Sequence, residues 1–367
     1  MAKILILGGY GQTGKPLAHH LLQESQAEIV LGGRSLEKAA ALAAQLNAQY
    51  PGGRASAVRV DAANAESLRA ALQGVDLLVA AAPTMRHAET VARAALEAGA
   101  DYLDVQLDSG KLAVLRALAP EIERAGRCFI TEAGFHPGLP AAMVRYAAAR
   151  LDRLDTAITA AYLNMGRNLP YSEAVDELMQ VFQNYQAQVF KNGAWTKAGS
   201  YEMRQVNFGG EIGERRCYSM FFEELRELPH LYPSLREVGF FIAGSDWATD
   251  WVITPIVMLG LKLAPKRGIR PMGKLMWWSM QTFSRPPHIV LLKVIANGEK
   301  DGRTACVQVA LSHPDGYELT AIPVAACLLQ WLDGSVRRPG LWMMGHLAEP
   351  QRLFADMRRM GVKVEER

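Results

Sequence analysis

A glycine-rich turn closes the first apolar run of the chain and restricts what it can fold into. Ile4 to Leu7 reads as a short β-strand and Lys15 to Gln23 as a helix, with Gly8, Gly9, Tyr10, Gly11, Gln12, Thr13 and Gly14 between them. Gly9, Gly11 and Gly14 stand in the GxGxxG register. The first glycine permits a tight turn, the second lets backbone approach a pyrophosphate, and the third lets helix pack against strand. Phosphates would then meet the first amides of a helix, where unpaired N–H groups and the helix dipole favour negative charge. The strand before the motif and the helix after it supply the context that the motif requires. A dinucleotide site over Gly9, Tyr10, Gly11, Gln12, Thr13 and Gly14 is therefore expected.

The rhythm that follows extends this start into a doubly wound parallel sheet. Short apolar runs at Glu28–Leu31, Ala57–Val60, Asp76–Ala82, Tyr102–Val105 and Cys128–Thr131 alternate with helical stretches at Leu36–Leu46, Ala65–Leu72, Arg86–Ala98 and Leu112–Arg124. Ser35 is placed as the N-cap of the second helix. Six strands of this kind make an α/β Rossmann domain, drawn here as residues 1–133. After Gly134 helical stretches such as Ser172 to Gln188 mix with alternating strands at His288–Ile295 and Thr304–Leu311. A hairpin is expected around Asn297 to Gly302, and a helix after Pro323. The reading is an α+β domain for substrate or oligomerisation over 134–322, with C-terminal helices over 323–367 returning to the first domain.

Strand ends indicate which residues face the cofactor, since ligands of open α/β sheets lie outside the carboxyl ends. An NAD site carries a carboxylate about 20 residues past the glycines for the ribose hydroxyl. Here that position holds Arg34, followed by Ser35, with no carboxylate beside them. A guanidinium fork and a hydroxyl suit a 2′-phosphate, which favours NADP(H); otherwise Arg34 is a solvated loop charge. Asp61 ends the third strand and either reaches the adenine or caps a helix. Ala81, Ala82 and Pro83 end the fourth strand and should pass beside ribose and pyrophosphate.

These segments, together with Tyr102, Leu103 and Asp104 and with Gly134, Phe135, His136, Pro137 and Gly138, resemble the saccharopine dehydrogenase-like family. The similarity extends to Asp315, Gly316 and Tyr317 ahead of Thr320 to Pro323, read as the end of a last strand. The resemblance implies a Rossmann domain, an inserted α+β domain, returning C-terminal helices and a site in the cleft between the domains. Two departures stand out. Pro339 to Gly345 is apolar where an acidic stretch is expected, and Arg204 to Trp278 carries no recognisable substrate-defining pattern.

For chemistry, His136 is the leading acid–base candidate because histidine exchanges protons near neutral pH, though a histidine before proline can equally serve backbone geometry. Asp104 either orients substrate or water, or caps the next segment. Arg215, Arg216, Glu223 and Glu224 would grip a charged substrate, or else are surface charges. The four scattered cysteines and eight histidines form no zinc spacing and no disulfide framework, so no metal is expected. There is no GxSxG elbow and no GxxxxGK[ST] loop. A net charge of +3 proposes no nucleic acid, and no nucleic-acid module is present. The scattered cysteines fit a reducing cytoplasm, and the N-terminal run is too short for a secretory signal, so a cytoplasmic protein is expected.

One segment points elsewhere. Between Asp250 and Glu299 there is no carboxylate, whereas Lys262, Lys266, Arg267, Arg270, Lys274, Arg285 and Lys293 are cationic and Trp251, Trp277, Trp278 and Phe283 lie among them. Its apolar run is too short to span a bilayer. Three readings of Trp251 to Arg285 stay open: a buried or homodimer-forming helix pair, a lid over substrate, and contact with a membrane surface. For the whole chain the reading is an NADP(H)-dependent oxidoreductase moving hydride to or from a C=N or C=O carbon of a small, amino-acid-like substrate. A reductase of lipid-like carbonyls or enones and a non-catalytic NADPH sensor or scaffold are the alternatives.

Overall fold

The computed structural model describes residues 1–166, 171, 173–183, 187–199, 202–244 and 246–367. Contacts divide the chain into two units, Met1–Ala142 with Tyr317–Val362, and Met143–Gly316 with Lys363–Arg367. The divisions expected at 133/134 and 322/323 lie at 142/143 and 316/317 in this partition, and the last five residues group with the second unit.

In the first unit the strands are β1 (Lys3–Leu7), β2 (Glu28–Gly33), β3 (Ala55–Arg59), β4 (Leu77–Ala80), β5 (Asp101–Asp104) and β6 (Cys128–Thr131). The helices between them are α1 (Gly14–Glu24), α2 (Leu36–Gln49), α3 (Ala65–Ala71), α4 (Ala88–Glu97) and α5 (Ser109–Arg124). The order β6-β5-β4-β1-β2-β3, parallel throughout, is the doubly wound arrangement with its switch between β1 and β4. Both faces of the sheet are covered, so its central strands are apolar without alternation: Ile4, Leu5, Ile6, Leu77, Leu78 and Val79 have no exposure.

Two expectations about the C-terminal part are corrected. Gly340–Met343, the stretch that lacks acidity, is a seventh strand paired in parallel with β6; apolar side chains suit a strand added to a buried sheet. The helix expected after Pro323 begins earlier, spanning Gly316–Leu332 with Pro323 inside it, and Thr320 to Pro323 are helical rather than the end of a strand. This helix is buried on nearly every side, and packing of Leu319, Ile322, Ala326 and Trp331 outweighs the proline's missing hydrogen bond.

The second unit is built on a mixed sheet. Its strands are β7 (Arg153–Asn164), β8 (Gln188–Lys191), β9 (Ala194–Lys197), β10 (Met203–Asn207), β11 (Glu214–Met220), β12 (Glu237–Ala243), β13 (Ile289–Lys300) and β14 (Arg303–His313). The path runs β10-β11-β12-β7-β13-β14 and ends on Lys363–Glu366, with β8 and β9 attached beside β12. The hairpin loop expected over Asn297 to Gly302 is shorter. β13 and β14 pair as far as Lys300 and Arg303, leaving Asp301 and Gly302, both at positive φ, as a two-residue turn. The helix expected from Ser172 to Gln188 is seen over Glu173–Gln183; Ser172 and residues 184–186 lie outside the described residues.

Candidate active site at the carboxyl edge of the sheet

The glycine turn leaves β1 at the topological switch. Gly8 has φ +84°, and a Cβ there would come 2.7 Å from Ala82 Cβ, so the β4 exit packs directly on the turn. Gly14 faces the backbone of Gly8 and Gly9, with any Cβ 2.8 Å from Gly9 Cα. Of the sequence-derived positions, Ala81 and Ala82 lie against the start of the glycine turn.

Helices α2, α3 and α5 begin with a side-chain cap, from Ser35, Asn64 and Asp108 respectively. Helix α1 does not. Thr13 makes no side-chain cap hydrogen bond, and the first turn contains no carboxylate. Of the four positions at a helix start whose amides lack an intrahelical partner, Lys15 donates to the Gly11 carbonyl and Pro16 has no N–H, so the amides of Thr13 and Gly14 are the donors that this uncapped end, with its positive potential, offers an anion. The residues therefore fit a dinucleotide diphosphate.

Beyond β2, Arg34 is exposed and has no hydrogen bond or ion pair among the described residues. Tyr10 reaches the same place. Its ring lies over Gly33, where a Cβ would be 2.5 Å away, and its hydroxyl accepts the Ser35 N–H at 3.0 Å. The Ser35 hydroxyl accepts the Lys38 N–H, as an N-cap does. For Asp61 the capping alternative is corrected: Asn64 caps α3, and Asp61 accepts the Ala63 N–H at 3.0 Å in a short turn. Sequence reasoning missed Arg59, the last residue of β3. It pairs in register with Gly33, is exposed, and likewise has no partner among the described residues, so a second unpaired guanidinium flanks the Arg34 position.

At the other end of the edge, Asp104 is fully buried. Its Oδ1 accepts from Lys111 Nζ at 2.6 Å and from the amides of Gln106 and Glu132, and its Oδ2 accepts the Thr131 hydroxyl at 2.8 Å. The Asp104 carbonyl also accepts the Ala133 N–H at 2.9 Å. Asp104 thus fastens the exit of β6, and with it the Gly134–Gly138 loop, to the end of β5. Lys111 was missed because a lysine in an amphipathic helix reads as solvated. Gln106 was missed too: its Nε2 donates to the Ala82 carbonyl and to Thr84 Oγ1, while its buried Oε1 has no acceptor role filled.

The Gly134–Gly138 loop turns back on itself, with Gly134 and Gly138 at φ +131° and +114°; a Cβ at Gly138 would lie 2.8 Å from the Gly134 backbone. His136 packs on Phe135 with ring centroids 4.4 Å apart. Desolvation lowers its pKa to about 4, so the imidazole is neutral at physiological pH. Arg34 follows β2 and His136 follows β6, strands that stand four places apart in the sheet, about 19 Å at the usual spacing.

In the second unit, Glu224 is buried rather than at the surface, Glu223 pairs with Arg226, and Arg215 and Arg216 lie over the rings of Tyr162 and Trp251.

Fold and site together define a dinucleotide-binding protein of the Rossmann class. Residues 4–130 match the saccharopine dehydrogenase NADP binding domain, so this part of the chain is an NADP-binding domain of that type. Carboxyaminopropylagmatine dehydrogenase of Synechocystis is 25% identical over 263 residues, 67% of this chain and 63% of the relative, so the match spans less than two thirds of that protein. Saccharopine dehydrogenase (L-Glu forming) of Saccharomyces cerevisiae shares the fold over all of this chain and 99% of its own, with a TM-score of 0.70 at 15% identity.

Proposed function

We propose that the protein is an NADP(H)-dependent oxidoreductase that transfers hydride to or from a C=N or C=O carbon of a small, amino-acid-like substrate. The observation that carries this reading is the uncapped, carboxylate-free start of α1 at the β1/β4 switch, with unpaired Arg34 beyond β2. Bound there, the nicotinamide would supply hydride donation or acceptance. The glycine-turn amides hold the diphosphate and Arg34, with Arg59 beside it, holds the 2′-phosphate. Gln106 Oε1 offers an acceptor beside the β4 exit. His136, neutral when the substrate arrives, takes the proton released from a substrate N–H or O–H during oxidation. Asp104 acts as a positioning residue by holding the loop that carries His136.

The substrate class draws support from the Synechocystis relative, whose name denotes a carboxylated amine. Incubating the protein and NADPH separately with imine mixtures, aldehydes and enones while following nicotinamide absorbance tests the reading. Turnover confined to imines or small carbonyls supports it. Turnover confined to enones points to a lipid-type reductase, and NADPH binding without any turnover to a sensor.

A further inference from the structure

The second unit carries an apolar helical face that the nicotinamide site does not use. The helix Thr254–Leu263 is continuous with a wider helical turn at Thr249–Ile253, and Val257 and Leu261 on one side pack with Met179 and Met276. On the opposite side Val252, Ile256, Leu259 and Leu263 recur at the spacing of a single helical face, and all are exposed, Leu259 by 56% and Leu263 by 76%. Trp251, half exposed, flanks this face. A helix apolar on both sides does not suit water.

The turn after Leu263 supplies Lys266 and Arg267, Lys262 borders the stripe, and the helix Ile269–Phe283 exposes Arg270, Lys274 and Trp278 at successive turns. No carboxylate occurs in the sequence between Asp250 and Glu299, and among the described residues Asp176 of the helix Glu173–Gln183 approaches this group only at Gly273 and Arg270, away from Lys262, Lys266 and Arg267 in sequence. Among the described residues no helix is long and apolar enough to cross a membrane. We propose that this face docks peripherally on an anionic membrane surface, the leucine–isoleucine stripe and Trp251 entering the acyl boundary and the flanking lysines and arginines meeting the headgroups. Apolar side chains, tryptophans and a one-signed cationic border are what such contacts combine. A second copy of the chain is disfavoured as the occupant, because a two-fold contact sets a patch against itself and would bring cation against cation.

The test is vesicle flotation of the full-length protein with phosphatidylcholine alone and with phosphatidylglycerol added. Flotation is expected only with the anionic vesicles and should weaken as salt rises and shortens electrostatic reach. Leu259→Gln with Leu263→Gln should cut partitioning at least about tenfold. Lys262→Gln with Lys266→Gln and Arg267→Gln should cut it by a further factor of about ten or more. All five positions are exposed, and unchanged thermal melts of both variants would confirm an intact fold. Equal flotation on neutral vesicles overturns the proposal. So does absence of flotation combined with a dimer that Leu259→Gln and Leu263→Gln disperse. Vesicle binding and NADPH binding are measured separately, so failure of one leaves the other standing.

Discussion

Lys111 Nζ lies 2.6 Å from Asp104 Oδ1, and neither side chain has any solvent exposure. Lys111 also donates to the Gln106 carbonyl at 2.5 Å and to Thr131 Oγ1 at 2.9 Å, so one ammonium joins the ends of β5 and β6 to the first turn of α5. Removing one partner of a buried pair strands the other charge in a medium that solvates it poorly.

Lys111→Met should therefore destabilise the protein by about 3–5 kcal/mol, and Asp104→Asn added to it should restore part of the loss by discharging the stranded carboxylate. Urea unfolding of the single and double variants measures both. A single-variant loss under about 1 kcal/mol, the range of a surface pair, would show that the pair does not hold the strand ends.

Arg34→Ala should weaken NADPH binding about 10- to 100-fold, the size of a lost hydrogen-bonded contact to a charged group, and leave NADH within a factor of two. Arg59→Ala should act in the same sense with a smaller loss, because its guanidinium enters from the neighbouring strand. Titration against nicotinamide fluorescence reads both. Parallel losses for NADPH and NADH would remove the 2′-phosphate role of either arginine.

The amino-acid pattern made the sheet and its cofactor edge legible for a physical reason. Strands β1, β2, β4 and β6 are short, largely apolar runs followed closely by glycine, proline or a polar residue, and the sheet rule carries strand ends to the ligand. Ser35 was readable as a cap because a helix start needs a local oxygen. Other features depend on partners distant in sequence. Gly340–Met343 becomes a strand only beside β6, some two hundred residues earlier. Arg59 acquires meaning through its register with Gly33, and Lys111 through Asp104 on a different element. Pro323 obeyed packing over local propensity.

Gly14→Ala should lower stability by about 1–3 kcal/mol and abolish measurable NADPH binding together. The added methyl meets backbone atoms of Gly8 and Gly9, which cannot rotate away as a side chain would, so the start of α1 must move off the turn. Gly53→Ala is the comparison, since nothing lies within 4 Å of a Cβ there and only its positive φ is strained. Cofactor binding should survive Gly53→Ala. Retained NADPH affinity in Gly14→Ala would show that close packing of α1 on β1 is not what forms the diphosphate site.

His136 links proton uptake to folding. Its pKa is about 4 in the folded protein because desolvation disfavours the imidazolium, whereas an unfolded histidine titrates near 6.5. Between those values the unfolded chain binds the extra proton, so stability rises with pH; it is lost as pH falls from about 6.5 to about 4 and changes no further below that on this account. The contribution of this single group is about 2–3 kcal/mol, taken below the full shift because the residue retains some exposure. His136→Asn removes the titration, so the variant's stability should change less across that window by about this amount. Denaturant midpoints at pH 7, 5.5 and 4.5 for both proteins provide the comparison. Parallel profiles would mean that the folded imidazole titrates as it does in water, and the neutral proton acceptor assigned to the Gly134–Gly138 loop would be lost with it.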